Sequence, residues 1–442
     1  MEFETAIRPE QIEAFRRQYA ENAVSRVAAH AASSANLEQV CYNLPCTSKM
    51  NHKFSLEVPT MKGTDQKSSG RCWIFASLNV LREKIGRELN LEEFELSQNY
   101  IAFYDHLEKA NTFLQRMIDT ADRPLDDRLV YTLLGEPVGD GGWWEYFVGL
   151  CKKYGIVPKE AMPETFQSTH SNNMNVVLNM QLRKNARQLR HALAEGQPVQ
   201  DVMQQKQEML AQVYNLLAIC LGEPPRKFDF EYVDKEKHYH AERGLDPHTF
   251  YDKYIGRDLD AIVSIVNAPT PDLPYYKTYY TEGEESVYGG YQAKRLNLPM
   301  DEFKAAVIRQ LTDGDLVWFV CDCDYYCNID KGIWDPDLYD FGSFFGMDLE
   351  MEKGDLLWYR QCSLNHAMVL TGVNLVDGKP DKWKVQNSWG TDDGKDGYFI
   401  MSDAWFDRYV FTASIDKKYL TEAQRHCFEE DAQLLPIWNI LA

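Results

Sequence analysis

Two polar residues at the ends of late apolar runs constrain this chain's fold more than any other feature. His366 heads Ala367-Met-Val-Leu-Thr-Gly-Val373, a buried-strand pattern, and Asn387 closes a second one, Lys382-Trp-Lys-Val-Gln-Asn387. If these strands are neighbours, the Asn387 amide oxygen fixes one tautomer of the His366 imidazole. Trp389, in Asn387-Ser-Trp-Gly390, then covers that hydrogen bond. Far upstream, Gln66-Lys-Ser-Ser-Gly-Arg-Cys72-Trp73 passes from a Gly-containing turn into a helix-forming run, Trp73 to Leu89. The first N–H groups of a helix are unpaired and its dipole favours negative charge, so a thiol at Cys72 is expected to lose its proton more easily. Gln66 is placed to offer its NH₂ to an oxygen that becomes negative, with the Cys72 N–H as second donor. Nucleophile, base, orienting amide and oxyanion donor are thus all present. To meet, an early helical half must face a late strand-rich half across a cleft.

Singly, each residue has a bland reading. A Cys opening a helix is usually a small buried hydrophobe, and Asn-Ser-Trp-Gly alone is a turn after a strand. It is the ordered set, Gln66, Cys72, His366, Asn387, that selects catalysis. The four segments resemble papain-type cysteine peptidases, and more closely their bleomycin hydrolase/aminopeptidase C branch. Where the papain pattern around the nucleophile reads Cys-Gly-Ser/Ala-Cys-Trp/Tyr, this chain reads Ser69-Gly70-Arg71-Cys72-Trp73, with Ser in place of the first Cys. Leu96-Ser97-Gln98, Asp140-Gly141-Gly142, Tyr154-Gly155-Ile156-Val157-Pro158 and Trp405-Phe406 extend the likeness over roughly residues 55 to 442.

The resemblance implies an α+β, papain-like two-domain fold, a helical domain plus a β-barrel-like domain. To this are added a large helical insertion and an N-terminal arm. It implies substrate-binding roles for Asp140, Gly141 and Gly142, whose Gly-Gly edge would pair with an extended peptide, and for Asn365 and Trp389. It also implies a C-terminal arm lying in the cleft, where Ala442 would meet the substrate's α-amine and make the enzyme an aminopeptidase. Assembly as a homohexamer with internal active sites belongs to the same expectation. The rival readings are an endopeptidase with a shortened arm, a catalytically silent scaffold, and a glutaminase or transglutaminase-like acyl transferase.

Charge and composition narrow the setting. With 67 acidic against 47 basic residues, the net charge of −20 repels phosphate backbones, so nucleic acid is disfavoured as a partner. No stretch reaches the roughly 18 apolar residues of a membrane helix, and Met1-Glu-Phe-Glu begins acidic without a signal-peptide core. Ten irregularly spaced cysteines do not make a disulfide framework. A cytoplasmic enzyme with reduced thiols is expected, acting on peptides. No cofactor is called for, and no metal either: Cys321-Asp-Cys323-Asp-Tyr-Tyr-Cys327 lacks a second ligand pair, and Cys321 ends a core-like strand.

Cys72 and His366 stand 294 residues apart, where simple papain-like chains have about 130–150. The expected division is an N-terminal arm over 1–60, with an amphipathic helix from about Pro9 to Ala32, and a helical half over 61–160. A mainly helical insertion follows over 161–299, with runs at Asn173–Glu195 and Gln197–Leu221 covering either this chain's core or a neighbouring subunit. Within it the tyrosine-rich Tyr275–Tyr280 reads as a surface loop. The β-rich half spans 300–432 and the apolar, docked C-terminal arm spans 433–442.

Overall fold

The computed structural model describes residues 6–256, 258–290 and 292–441. Its early part is built on the helix Cys72–Glu88, in which Trp73, Ile74, Phe75, Leu78 and Leu81 are buried together. Apolar residues on successive rather than alternating faces are the mark of a helix enclosed by core. It ends where Asn90 turns left-handed at φ +53°, a conformation Asn accepts at little cost. Next comes Gln98–Asp119, capped by the Ser97 hydroxyl, which accepts from the Tyr100 N–H at 3.1 Å. Trp144–Tyr154 then stops at Gly155, φ +73°.

Within the long interval between Cys72 and His366 lie two long helices, Asn172–Ala194 and Val199–Leu221. Leu178, Leu182 and Leu189 on the first, and Met209, Val213 and Leu217 on the second, recur at helical spacing and are buried. Both helices pack on Gln98–Asp119. The insertion therefore covers this chain's own core.

Late in the chain, Val317–Cys321, His366–Val376, Lys379–Gln386 and Tyr398–Ser402 run antiparallel side by side. Val410–Asp416 pairs with the other edge of Val317–Cys321, and Ile262–Val266, Arg295–Asn297, Thr278–Thr281 and Gln433–Leu435 carry the sheet onward. Among the described residues the pairing path runs from Gln433–Leu435 to Cys327–Asn328 without returning on itself. The barrel-like half is thus an open sheet. The Cys72 helix packs on His366–Val376, and the Asp65–Trp389 bridge joins the segment before it to the second late motif; together these contacts bring the early and late motifs to one place.

Two local expectations are corrected. The N-terminal helix is broken at Asn22 into Pro9–Glu21 and Ala23–Ala32, because the Asn22 side chain accepts from the Val24 and Ser25 N–H groups at 3.0 and 3.2 Å and starts a new helix. The tyrosine-rich stretch is only partly surface. Thr278–Thr281 is a strand held between Arg295–Asn297 and the tail strand Gln433–Leu435, and Tyr279 is buried with its hydroxyl donating to the Pro274 carbonyl at 2.9 Å. Tyr275 and Tyr276 remain exposed.

Candidate active site

Cys72 is the first residue of its helix, and Arg71 ahead of it offers no side-chain cap. The Ala367 N–H donates to the Cys72 sulfur, 3.4 Å from Sγ, and the N–H groups of Cys72 and Trp73 at the helix start also favour the anion. Ala367 follows His366 at the start of the strand that packs on this helix, so the sheet itself delivers that donor. His366 pairs in register with Cys321, and its Nε2 lies 2.8 Å from Asn387 Oδ1.

The tautomer follows from donors and acceptors alone. The Ser388 N–H, which can only donate, points at Asn387 Oδ1 at 2.8 Å. That atom is therefore the amide oxygen, so His366 Nε2 must carry the hydrogen it shares with it. Nδ1 is left with a free lone pair. Trp389 stacks on the imidazole with centroids 4.8 Å apart at 26° and shields the His366–Asn387 bond from water.

Burial governs the protonation states. It pushes the Cys72 thiol up to about 11, against the pull of the three N–H groups, and pulls His366 down to about 4 against the Asn387 hydrogen bond. The helix start therefore does not by itself ionise the thiol, contrary to expectation, because desolvation of a buried anion outweighs the donors. Thiolate and imidazolium formed together would each favour the other, since opposite charges at short range oppose desolvation. Gln66 is buried beneath: its N–H donates to the Ser388 carbonyl at 2.8 Å, its Oε1 accepts from Ser388 Oγ at 2.6 Å, and its Nε2 donates one hydrogen to the Ser69 carbonyl at 2.6 Å.

The remaining candidates divide. Gly141 and Gly142 line a cavity of about 490 Å³, together with Trp143, Tyr146, Glu284 and the tail residues Ile437, Trp438 and Asn439. A Cβ at Gly142 would lie 2.6 Å from the Trp73 ring, so the edge approaches the Cys72 helix as only glycine permits. The Asp140 carboxylate faces inward to Gly70, Ser171 and Asn175, away from that cavity. The Asn365 side chain is engaged with the Cys323 N–H and with Asp322 and Asp324, bracing the loop before His366 rather than standing free. Ala442 lies outside the described residues. Leu441 before it is buried, its carbonyl accepting from Arg295 Nη1 at 3.0 Å, while the Arg128 guanidinium covers the Trp438 ring at 4.3 Å. Cys321 is a buried strand residue and all ten cysteines are free.

Sequence reading missed Ser388, which fixes both Gln66 and Asn387, the Ala367 N–H, and the residues behind Asp140. Ser388 lay within the Asn-Ser-Trp-Gly motif. The others carry no local signal, because each matters only through a contact distant in sequence.

The profile of the Peptidase C1-like family matches residues 6–442. Aminopeptidase C of Lactobacillus helveticus is 42% identical over 94% of this chain and 93% of its own. Aminopeptidase C of Listeria monocytogenes is 41% identical over 99% and 98%. The crystal structure of PepW from Lactobacillus rhamnosis superposes with a TM-score of 0.98 at 42% identity, over 99% of both chains. With a buried Cys-His-Asn set between helix and sheet, and with these likenesses, the chain belongs to the Peptidase C1-like family of papain-type cysteine peptidases.

Proposed function

We propose that this cysteine peptidase removes N-terminal residues from peptides by a thioester mechanism centred on Cys72. The observation that carries the reading is the tautomer set by Ser388 and Asn387, which leaves His366 Nδ1 with a free lone pair one residue before Ala367, whose N–H reaches Cys72 Sγ at 3.4 Å. Cys72 Sγ attacks the peptide carbonyl carbon while its proton passes to His366 Nδ1. The carbonyl oxygen becomes negative against the Cys72 N–H and the second amide hydrogen of Gln66. Loss of one such donor costs about 3 kcal/mol in the barrier. Collapse breaks the C–N bond as His366 returns the proton to the leaving amine. Water, deprotonated by His366, then attacks the thioester and releases the acid and the thiol.

Restriction to the peptide's N-terminal end is supported by the names of the relatives and by the tail. Residues 437–439 line the cavity beside the Gly-Gly edge, where an endopeptidase would need an open groove for further substrate residues. We read Gly141, Gly142 and Trp389 as the substrate-contacting surface. Among the described residues no helix is long and apolar enough to cross a membrane, and a cytoplasmic location and a homohexameric assembly are proposed on family resemblance. The test compares one peptide sequence with a free and with an acetylated N-terminus. Only the free form should be cut, from its N-terminal end, and removal of residues 438–442 should release cleavage of the acetylated form. Internal cleavage of the acetylated peptide by the intact chain would overturn the aminopeptidase reading.

A further inference from the structure

Behind the nucleophile lies a buried polar cluster that the mechanism above leaves unused. It is centred on Asp140 and drawn from three separate parts of the chain. Asp140 Oδ2 accepts the Gly70 N–H at 2.7 Å and the Ser171 hydroxyl. Its Oδ1 accepts Asn175 Nδ2 at 2.6 Å and lies 3.2 Å from His106 Nε2. Its backbone carbonyl accepts the Trp73 indole N–H at 2.6 Å. Gly70 and Trp73 flank Cys72, so one residue grips the chain on both sides of the thiol. A Cβ at Gly70 would stand 2.9 Å from Asp140 Cβ, which fixes how close the two segments run.

The charge state of the cluster follows from its geometry. A carboxylate only accepts, so Asn175 must present its NH₂ to Asp140 and its Oδ1 to His106, 3.0 Å from Nε2. His106 Nε2 therefore faces two acceptors, while Nδ1 lies 2.8 Å from the Ala102 carbonyl, another acceptor. Both ring nitrogens carry hydrogens, and His106 is an imidazolium in contact with the Asp140 carboxylate. The titration directions agree: burial opposes the His106 charge but Asp140 raises it above its ordinary value, and Asp140 is held far below the carboxylate range against its own burial by His106. Asp105 and Lys109, paired at 2.6 Å on the same helix, face the cluster as well.

We infer that Asp140, fixed from behind by His106 and by Asn175 and Ser171 at the head of an insertion helix, is a positioning residue that sets the turn from which Cys72 presents its thiol. The insertion so gains a part in catalysis: Asn179 of the same helix also pairs with both the N–H and the carbonyl of Val138, at 2.9 and 2.8 Å. The inference rests on the peptidase reading above. A displaced Gly70–Cys72 turn moves the attacking sulfur and the oxyanion N–H together, so the loss falls on turnover rather than on substrate binding.

The experiment measures kcat and KM on an amino-acid p-nitroanilide with a free amine, for the wild type, Asp140→Ala and Asp140→Asn, normalised to folded protein by circular dichroism. Asp140→Ala should lower kcat about tenfold or more with KM changed less than about threefold, and Asp140→Asn, whose amide oxygen still accepts from Gly70 but whose NH₂ obliges Asn175 to turn and His106 to give up its proton, should fall clearly between Asp140→Ala and wild type. A folded Asp140→Ala within about twofold of wild-type kcat, or an Asp140→Asn as slow as Asp140→Ala, would overturn the inference. Should Asp140→Ala not fold, the double variant Ser171→Ala/Asn175→Ala decides: kcat should fall severalfold, and an unchanged kcat rejects the positioning role. A wild type without activity on any peptide would instead strike the peptidase reading, so the two failures are distinct.

Discussion

At the scale of single residues, the site works by assigning each hydrogen one place. His366 is the proton carrier and Asn387 only holds it, so the two should not be equivalent. His366→Ala should lose nearly all turnover, while Asn387→Ala retains more and shifts the pH–rate profile on the limb that reports the imidazole. Small and equal losses would contradict the pairing of base and orienting amide. Burial makes a second prediction. With the thiol removed in Cys72→Ala, no thiolate can form, and desolvation, outweighing the Asn387 hydrogen bond and the Asp324 charge, should hold the His366 midpoint near the value of about 4, read from imidazole chemical shifts. A midpoint at 6 or above would contradict the dominance of burial. The linkage sign follows: the folded imidazole binds its proton less readily than an unfolded one at about 6.5. Stability of that variant is therefore full above this value and falls as pH drops toward the folded midpoint. Gln66, Cys72, His366 and Asn387 were all legible in the sequence, because each sits in a motif whose neighbours serve the same chemistry. Asp140 was read from the sequence as substrate-binding, whereas its carboxylate faces inward to Gly70, Ser171 and Asn175. The partners that turn it inward, His106, Asn175 and Ser171, lie on helices whose packing no local pattern encodes.

Among the elements, periodicity located the helices well. The run at Asn173–Glu195 is the helix Asn172–Ala194, since a stripe of leucines at helical spacing has no other way to be buried. Failures came where a local hydrogen bond or a distant strand overrode the pattern, as Asn22 broke the first helix and the tail strand drew Tyr279 into the sheet. The insertion helices owe their place to packing on Gln98–Asp119, and Leu182 on the first of them is fully buried. Leu182→Ala should cost about 3 kcal/mol in urea unfolding through lost contacts and the cavity left behind. A change below about 0.5 kcal/mol would mean that the insertion is not part of the cooperative core.

For the molecule as a whole, the first two helices of the N-terminal arm stand apart from the core, while Leu56–Glu57 at its end pairs with His366–Val376. Neither Pro9–Glu21 nor Ala23–Ala32 buries a residue, and Phe15, Tyr19, Val24 and Val27 are exposed. Apolar side chains gathered on such an arm are stabilised when another surface covers them, which fits the proposed assembly of several copies. Sedimentation should find a species larger than the monomer, and Phe15→Glu with Val27→Glu should shift it toward the monomer. A wild-type monomer at micromolar concentration would remove this part of the account. The fold class was readable because early helices and late strands each carried their own signature. The open path of the sheet was not, because closure depends on pairings among short, distant strands.

All of this converges on one sulfur. The most direct measurement is the hydrolysis of a free-amine peptide by Cys72→Ala, with its fold verified against wild type by circular dichroism. Alanine suits a helix start and fills nearly the same volume, so the variant should fold. The account predicts no turnover above the uncatalysed rate, and turnover by a folded Cys72→Ala at a level comparable to wild type would contradict it.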